Sequence, residues 1–303
     1  MAIKRRIFIS SPRDKHLDAR RTELKWAVIR EIEKFGYEAQ VFGSKDGGRG
    51  LARKTWSPDE ADRVMRRCVG AAILGFPIWN FQTGNQTVSL VSEYCHYEGA
   101  LARAYQLPIL ALLEEGVAER VLFMPYAGDP IIQVPVNADA AWVRTPDFGA
   151  FLGTWIDVLE ARRDVFLGYC SSSYETAQSV KKYLVETLQV SVLDWRTDFA
   201  PAESILKDIQ DAESRCSAGI FLFTRDDTLE TEAGGQVAAP RDNVVFEAGY
   251  FAKSKGKDRV LIIQEKGSKM PADLGGDIYA VLENRGDTSD VKPSIRRFVE
   301  QRL

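Results

Sequence analysis

One stretch of the chain is written twice. Cys68-Val69-Gly70-Ala71-Ala72-Ile73-Leu74 aligns with Cys216-Ser217-Ala218-Gly219-Ile220-Phe221-Leu222 at an offset of 148 residues. Tyr97-Glu98-Gly99-Ala100 aligns with Phe246-Glu247-Ala248-Gly249 at 149, and Gly128-Asp129 with Gly276-Asp277 at 148. Repetition at one nearly constant offset marks tandem copies of a domain. A chain of 303 residues accommodates two domains of ordinary size, each with its own core. The expected division is residues 1–162 and 163–303, with no Gly/Ser-rich linker between them, so the two copies are expected to pack together.

Within each copy short apolar runs alternate with amphipathic stretches. In the first, strands are expected at Arg6 to Ser10, Tyr37 to Phe42, Ala71 to Phe76, Pro108 to Leu113 and Ile131 to Val136, with helices at Arg21 to Phe35, Pro58 to Cys68, Ser92 to Tyr105 and Asp147 to Arg162. In the second, strands are expected at Val165 to Tyr169, Val190 to Asp194, Gly219 to Phe223 and Arg259 to Gln264. Its helices are expected at Tyr174 to Leu188, Ala202 to Arg215, Asn243 to Lys253 and Val291 to Arg302. Runs apolar throughout, such as Pro108 to Leu113, suit parallel strands covered on both faces. The fold class is therefore α/β: two tandem doubly wound, Rossmann-like domains with mainly parallel sheets, which bind ligands at the carboxyl ends of their strands. Asp226 to Pro240, with Gly234-Gly235, is the expected mobile loop.

Composition narrows the chemistry. A formal net charge of −3 argues against a protein held mainly by nucleic-acid phosphates. No apolar run is long enough to span a bilayer, and a soluble, cytoplasmic protein with no membrane partner is expected. The four cysteines, Cys68, Cys95, Cys170 and Cys216, lack zinc-site or disulfide-framework spacing, and His16 and His96 are the only histidines. Neither metal binding nor histidine catalysis is expected. Gly47-Gly48-Arg49-Gly50 lacks the GK[ST] ending of a phosphate-binding P-loop.

What remains is carboxylate chemistry. Pro240-Arg241-Asp242-Asn243-Val244-Val245-Phe246-Glu247-Ala248-Gly249-Tyr250 opens a helix that Asp242 or Asn243 can cap, with Asn243 and Glu247 on one face. Glu247 then lies near a helix start at the ligand-binding edge of the sheet. Either it reacts there or it stabilises the helix on a solvated face.

The run Asp242 to Lys269, with Phe246-Glu247-Ala248-Gly249-Tyr250, Asp258-Arg259-Val260-Leu261 and Gln264-Glu265-Lys266-Gly267, resembles the TIR-like domain of bacterial anti-phage effectors of the CBASS/Pycsar type. The likeness includes Pro271 to Asp277, Trp195, Ser204-Ile205-Leu206 and Phe221 to Asp227, and covers roughly Asp164 to Leu303. The resemblance implies that Glu247 is the catalytic residue of a NAD+ glycohydrolase, with NAD+ as substrate and no cofactor. It also implies self-association into a homo-oligomer, a cyclic nucleotide or other nucleotide as activator, and defence through NAD+ depletion. One carboxylate suffices in kind, because nicotinamide leaves as a neutral molecule and needs no proton donor, unlike an ordinary glycoside. A nucleotide receptor, or a synthase of a signalling nucleotide from NAD+, are the alternatives.

Binding parts can be placed around Glu247. Tyr169, Ser171 and Ser172 lie in a strand-to-helix loop able to cradle a phosphate. Trp195 and Phe199 could stack on a base, although Trp195 suits core packing equally. Asp226, with Asp227, ends the third strand as a ribose contact or a loop cap, and Asn243 flanks Glu247. The first copy resembles TIR-like, SLOG-like or deoxyribosyltransferase-like domains more loosely. Ser10, Ser11 and Glu98 are its candidates for a second nucleotide site. Sensing, assembly, a second active site and a degenerate packing copy all fit that half.

Overall fold

Each strand that the apolar runs predict lies in a parallel sheet, and the two sheets share one strand order. The structure is a computed structural model that describes residues 4–42, 55–124, 130–198, 205–230, 235–271, 274 and 279–303. These form two units, Lys4–Ala161 and Arg162–Leu303. In the first, β1 (Arg6–Ser10), α1 (Ala19–Lys34), β2 (Glu38–Val41), α2 (Pro58–Met65) and β3 (Gly70–Gly75) are followed by a hairpin, β4 (Trp79–Thr83) and β5 (Gln86–Leu90). Then come α3 (Glu93–Ala104), β6 (Ile109–Glu114), β7 (Ile131–Val134) and α4 (Pro146–Ala161). The sheet order is β2-β1-β3-β6-β7, parallel throughout.

The second unit repeats this plan. β8 (Arg163–Gly168) leads to α5 (Tyr174–Lys182), which runs on as a π-helical turn over Tyr183–Thr187. β9 (Val192–Asp194), α6 (Trp195–Asp198), α7 (Ile205–Arg215) and β10 (Cys216–Phe223) follow. A hairpin, β11 (Asp227–Glu230) and β12 (Gln236–Ala239), precedes α8 (Asp242–Lys255), β13 (Val260–Glu265), β14 (Tyr279–Leu282) and α9 (Lys292–Arg302). Read from β9, the order is β9-β8-β10-β13-β14. Numbered in chain order within each parallel sheet, both orders are 2-1-3-4-5, with the switch point beside the first strand, where such sheets bind ligands.

Central strands are buried end to end, as β3 and β6 are, because helices cover both faces. Each sheet has an apolar cluster on either side. Phe148 and Trp155 of α4 pack on one side of the first sheet and Met65 of α2 on the other, while Phe166, Phe221 and Phe251 meet on one side of the second. Cys68 and Cys216 are buried thiols, Cys216 as the first residue of β10 itself.

Two expectations need correction. The described part of Asp226 to Pro240 is an antiparallel ladder with Asp227 opposite Ala239, since its alternating pattern satisfies backbone groups across the pair. The N-cap of α8 is Arg241, with no side-chain cap bond, so neither Asp242 nor Asn243 caps it. Asp242 is instead its first residue, a favourable place for a negative charge at the positive end of the helix. Gly47 to Gly50 and the pairs Gly128-Asp129 and Gly276-Asp277 lie outside the described residues.

Candidate active site

The carboxyl ends of β8 and β10 and the opening turns of α8 build the candidate site. Glu247 lies two turns into α8, and its side chain turns back toward Gly168, the last residue of β8. A Cβ built on Gly168 would stand 2.8 Å from Glu247 Oε2 and 2.5 Å from Phe221 Cδ1. The missing side chain at Gly168 is therefore what makes room for the carboxyl. Glu247 is half-buried, and its Oε2 is buried with no hydrogen-bond partner among the described residues. Burial pushes its pKa up to about 8, with no neighbouring donor or cation pulling it back. A carboxyl so placed gains most from a cationic or hydrogen-donating ligand.

The other predicted residues fall into two groups. Ser172 Oγ donates to Asp226, which also accepts from Thr224 Oγ1 at 2.5 Å and faces Arg285 at 3.5 Å. Ser171 is exposed in a single 3-10 turn, and Asn243 is exposed one turn before Glu247 on α8. Tyr169 and Trp195, by contrast, serve the core. Tyr169 is buried with its hydroxyl on Asp194 Oδ1 at 2.8 Å, and the Trp195 indole donates to the Tyr169 carbonyl at 3.1 Å, the rings 5.8 Å apart. Of the two readings of Trp195, packing is the one its contacts occupy. Phe199 lies outside the described residues.

Two features were missed in the sequence. Glu265, ending β13, is buried and clamped by Arg285 at 2.6 Å and Arg225 at 3.0 Å. Burial alone would raise its pKa, but the bonds from the two arginines outweigh it and hold the carboxyl below its ordinary value. The clamp fixes Arg225 and Arg285 around Asp226 and the Ser172 turn. The role of Gly168 is the second. It pairs with Phe221 as Ser10 pairs with Ile73, and Ile73 and Phe221 are aligned in the repeat. That register pairs strands distant in the sequence, so no local sequence signal marks it.

The first unit places its predicted residues together. Glu98 is buried on α3, accepting from Ser10 Oγ and from Trp56 Nε1 at 2.7 Å. Burial raises its pKa to about 7 against the pull of both donors. Ser11 lines a cleft of about 290 Å³ that Glu98 also borders. Among the described residues no group of three His, Cys, Asp or Glu side chains is placed to hold a metal ion, and no helix is long and apolar enough to cross a membrane.

Residues 164–284 match the family model described as the TIR domain of CAP12/Pycsar effector proteins. Among curated relatives, the CD-NTase-associated protein 12 of Flavobacterium daejeonense is 35% identical over 113 residues, 37% of this chain and 35% of that protein. The protein of that name from a Lachnospiraceae bacterium is 31% identical over 129 residues, 42% of this chain and 40% of the relative. Pycsar effector protein BcPycTIR of Burkholderia cepacia is 33% identical over 94 residues, 30% of this chain and 31% of the relative. The chain thus spans well under half the length of the relatives it matches. Over residues 164–284 it carries a TIR domain of the CAP12/Pycsar effector family.

Proposed function

We propose that the C-terminal unit cleaves the bond between nicotinamide and ribose in NAD+, with Glu247 as the catalytic carboxylate, and that the protein is an anti-phage effector that depletes NAD+. The observation that carries this is the buried, unpartnered Glu247 Oε2 at the carboxyl edge of a TIR-domain sheet. As the glycosidic bond breaks, its electrons pass to the pyridinium and neutral nicotinamide departs. Positive charge builds on the ribosyl carbon and ring oxygen. A carboxylate screened from water stabilises that charge far more strongly than one in bulk solvent. Water then attacks the ribosyl carbon and gives up a proton, leaving ADP-ribose. Glu247 enters this step as the carboxylate, so the cationic substrate must draw its raised pKa down on binding.

Under this proposal Asn243 and the Ser171-Ser172 turn, all exposed, supply the substrate contacts. In this reading a nucleotide signal and self-association switch the cytoplasmic enzyme on. The test is mass spectrometry of NAD+ incubated with purified protein, alone and with a panel of cyclic nucleotides. Nicotinamide and ADP-ribose in equal amounts are expected. A cyclised product would make the protein a synthase, and intact NAD+ under every condition would contradict the proposal.

A further inference from the structure

We propose that the cleft of the N-terminal unit is a binding site for a ribonucleoside 5′-monophosphate whose ribose diol is held by Glu98. The inference is independent of the C-terminal chemistry. Three observations converge on it.

The cleft opens at the carboxyl end of β1, at the switch point of the sheet, and its volume of about 290 Å³ suits one nucleotide but not a dinucleotide, being at the small end of ligand pockets. At its base, Glu98 is 5% exposed yet borders the cavity. Ser10 and Trp56 each occupy one lone pair, one on each carboxylate oxygen. A carboxylate has about four acceptor positions. One therefore remains on each oxygen, an arrangement that matches the two adjacent hydroxyls of a ribose.

The walls supply stacking surface. Trp56 meets Tyr94 edge-on at 4.4 Å, and Trp79 of the β4–β5 hairpin lines the cleft while 47% exposed. An exposed indole on a cavity wall offers a face that a base of any identity can stack on. The rim carries the guanidinium of Arg13 and the imidazole of His16 together with one carboxylate, Glu93. Arg13 has no carboxylate partner among the described residues, and the loop that carries it is anchored from below. There the buried Lys25 donates to the Pro12 carbonyl at 3.1 Å and pairs with Asp14 at 2.8 Å. A guanidinium held on a fixed loop and left unpaired is suited to phosphate.

The test uses the full chain and the intrinsic fluorescence of Trp56 and Trp79, checked by calorimetry. Titrants are AMP, CMP, GMP and UMP, with 2′-deoxy-AMP, 3′,5′-cyclic AMP and inorganic phosphate as probes of the diol and phosphate contributions. Saturable binding of at least one ribonucleoside monophosphate is expected. Loss of the free diol, in the deoxy or the cyclic form, should weaken it about tenfold or more. Glu98→Gln should remove the preference for the diol, and Trp79→Ala, at an exposed position that leaves the core intact, should weaken all nucleotides severalfold. Affinity unchanged in Glu247→Gln would locate the binding outside the C-terminal site. No saturable binding by any ribonucleotide, or equal affinity for ribo and deoxy forms in the wild type, would overturn the proposal.

Discussion

Two glutamates occupy one position in two copies of one fold and live under opposite conditions. Glu98 and Glu247 each sit six residues after the N-cap of a helix, Ser92 in one unit and Arg241 in the other, and each helix follows a hairpin that leaves the third strand of its sheet. At Glu98 the last residue of the first strand is Ser10, and its hydroxyl binds the carboxyl. At Glu247 the equivalent residue is Gly168, so the donor is missing and Oε2 fills the space where it would stand. Elsewhere the copies agree closely. Glu114 and Glu265 end the fourth strands, each clamped by two arginines, and each is followed two residues later by a glycine of positive φ, +82° at Gly116 and +86° at Gly267. The scaffold is retained while the electrostatics at one atom diverge: one carboxyl has a protein donor on each oxygen, whereas Oε2 of the other has none among the described residues.

The asymmetry can be broken at Gly168. Gly168→Ala drives a methyl into the place of Glu247 Oε2, and misplacing a reacting group by about 1 Å costs on the order of 100-fold in rate. Nicotinamide release should fall by about that factor. A folded variant with full activity would show that the close approach has no role.

The shared clamps come next. Glu114→Gln and Glu265→Gln should each lower stability in urea by about 2 kcal/mol, less than the loss of a fully buried pair because the arginines reach solvent. Equal losses would mark the clamp as common scaffold, and a loss confined to one unit would sharpen the difference between the copies.

Acid–base behaviour separates the glutamates further. With its pKa raised to about 8 by burial, free Glu247 is mostly protonated at neutral pH. The carboxylate is the active form, so kcat/KM should rise about tenfold per pH unit up to about 8 and then level. A flat or falling profile would contradict this. The same shift acts on stability. The folded-state pKa lies above the ordinary carboxyl value, so the contribution of the group is fully present below about pH 4.5 and is lost as pH rises through 8. The Tm of Glu247→Gln should therefore gain on wild type between pH 5 and pH 9. The smallest effect is Ser10→Ala, which removes one donor from Glu98 and should cost about 1 kcal/mol in urea unfolding.

The parallel sheets were legible because buried strands such as β6 are apolar over residues 109–113 and the helices between them are amphipathic. The first hairpin also has a local sequence signature. Trp79-Asn80-Phe81-Gln82-Thr83 alternates strictly, and Gly84-Asn85 is a two-residue turn with φ +60° at Gly84. Being exposed on both faces of β4, the hairpin lacks the buried apolar run that marks the other strands. Glu247 was legible from its place at a helix start. Its dependence on Gly168 was not, because that contact arises from strand register across nonlocal pairs. The Glu265 clamp escaped for the same reason, its arginines lying 40 and 20 residues away.

The central claim is that the unpartnered carboxyl of Glu247 carries the reaction. Its most direct test is the rate of nicotinamide release from NAD+ by wild type and Glu247→Gln under the same activating condition, both shown folded by circular dichroism. Glu247→Gln keeps the shape and removes the charge, so a loss on the order of 10³-fold is expected. Release within a few-fold of wild type would contradict the account.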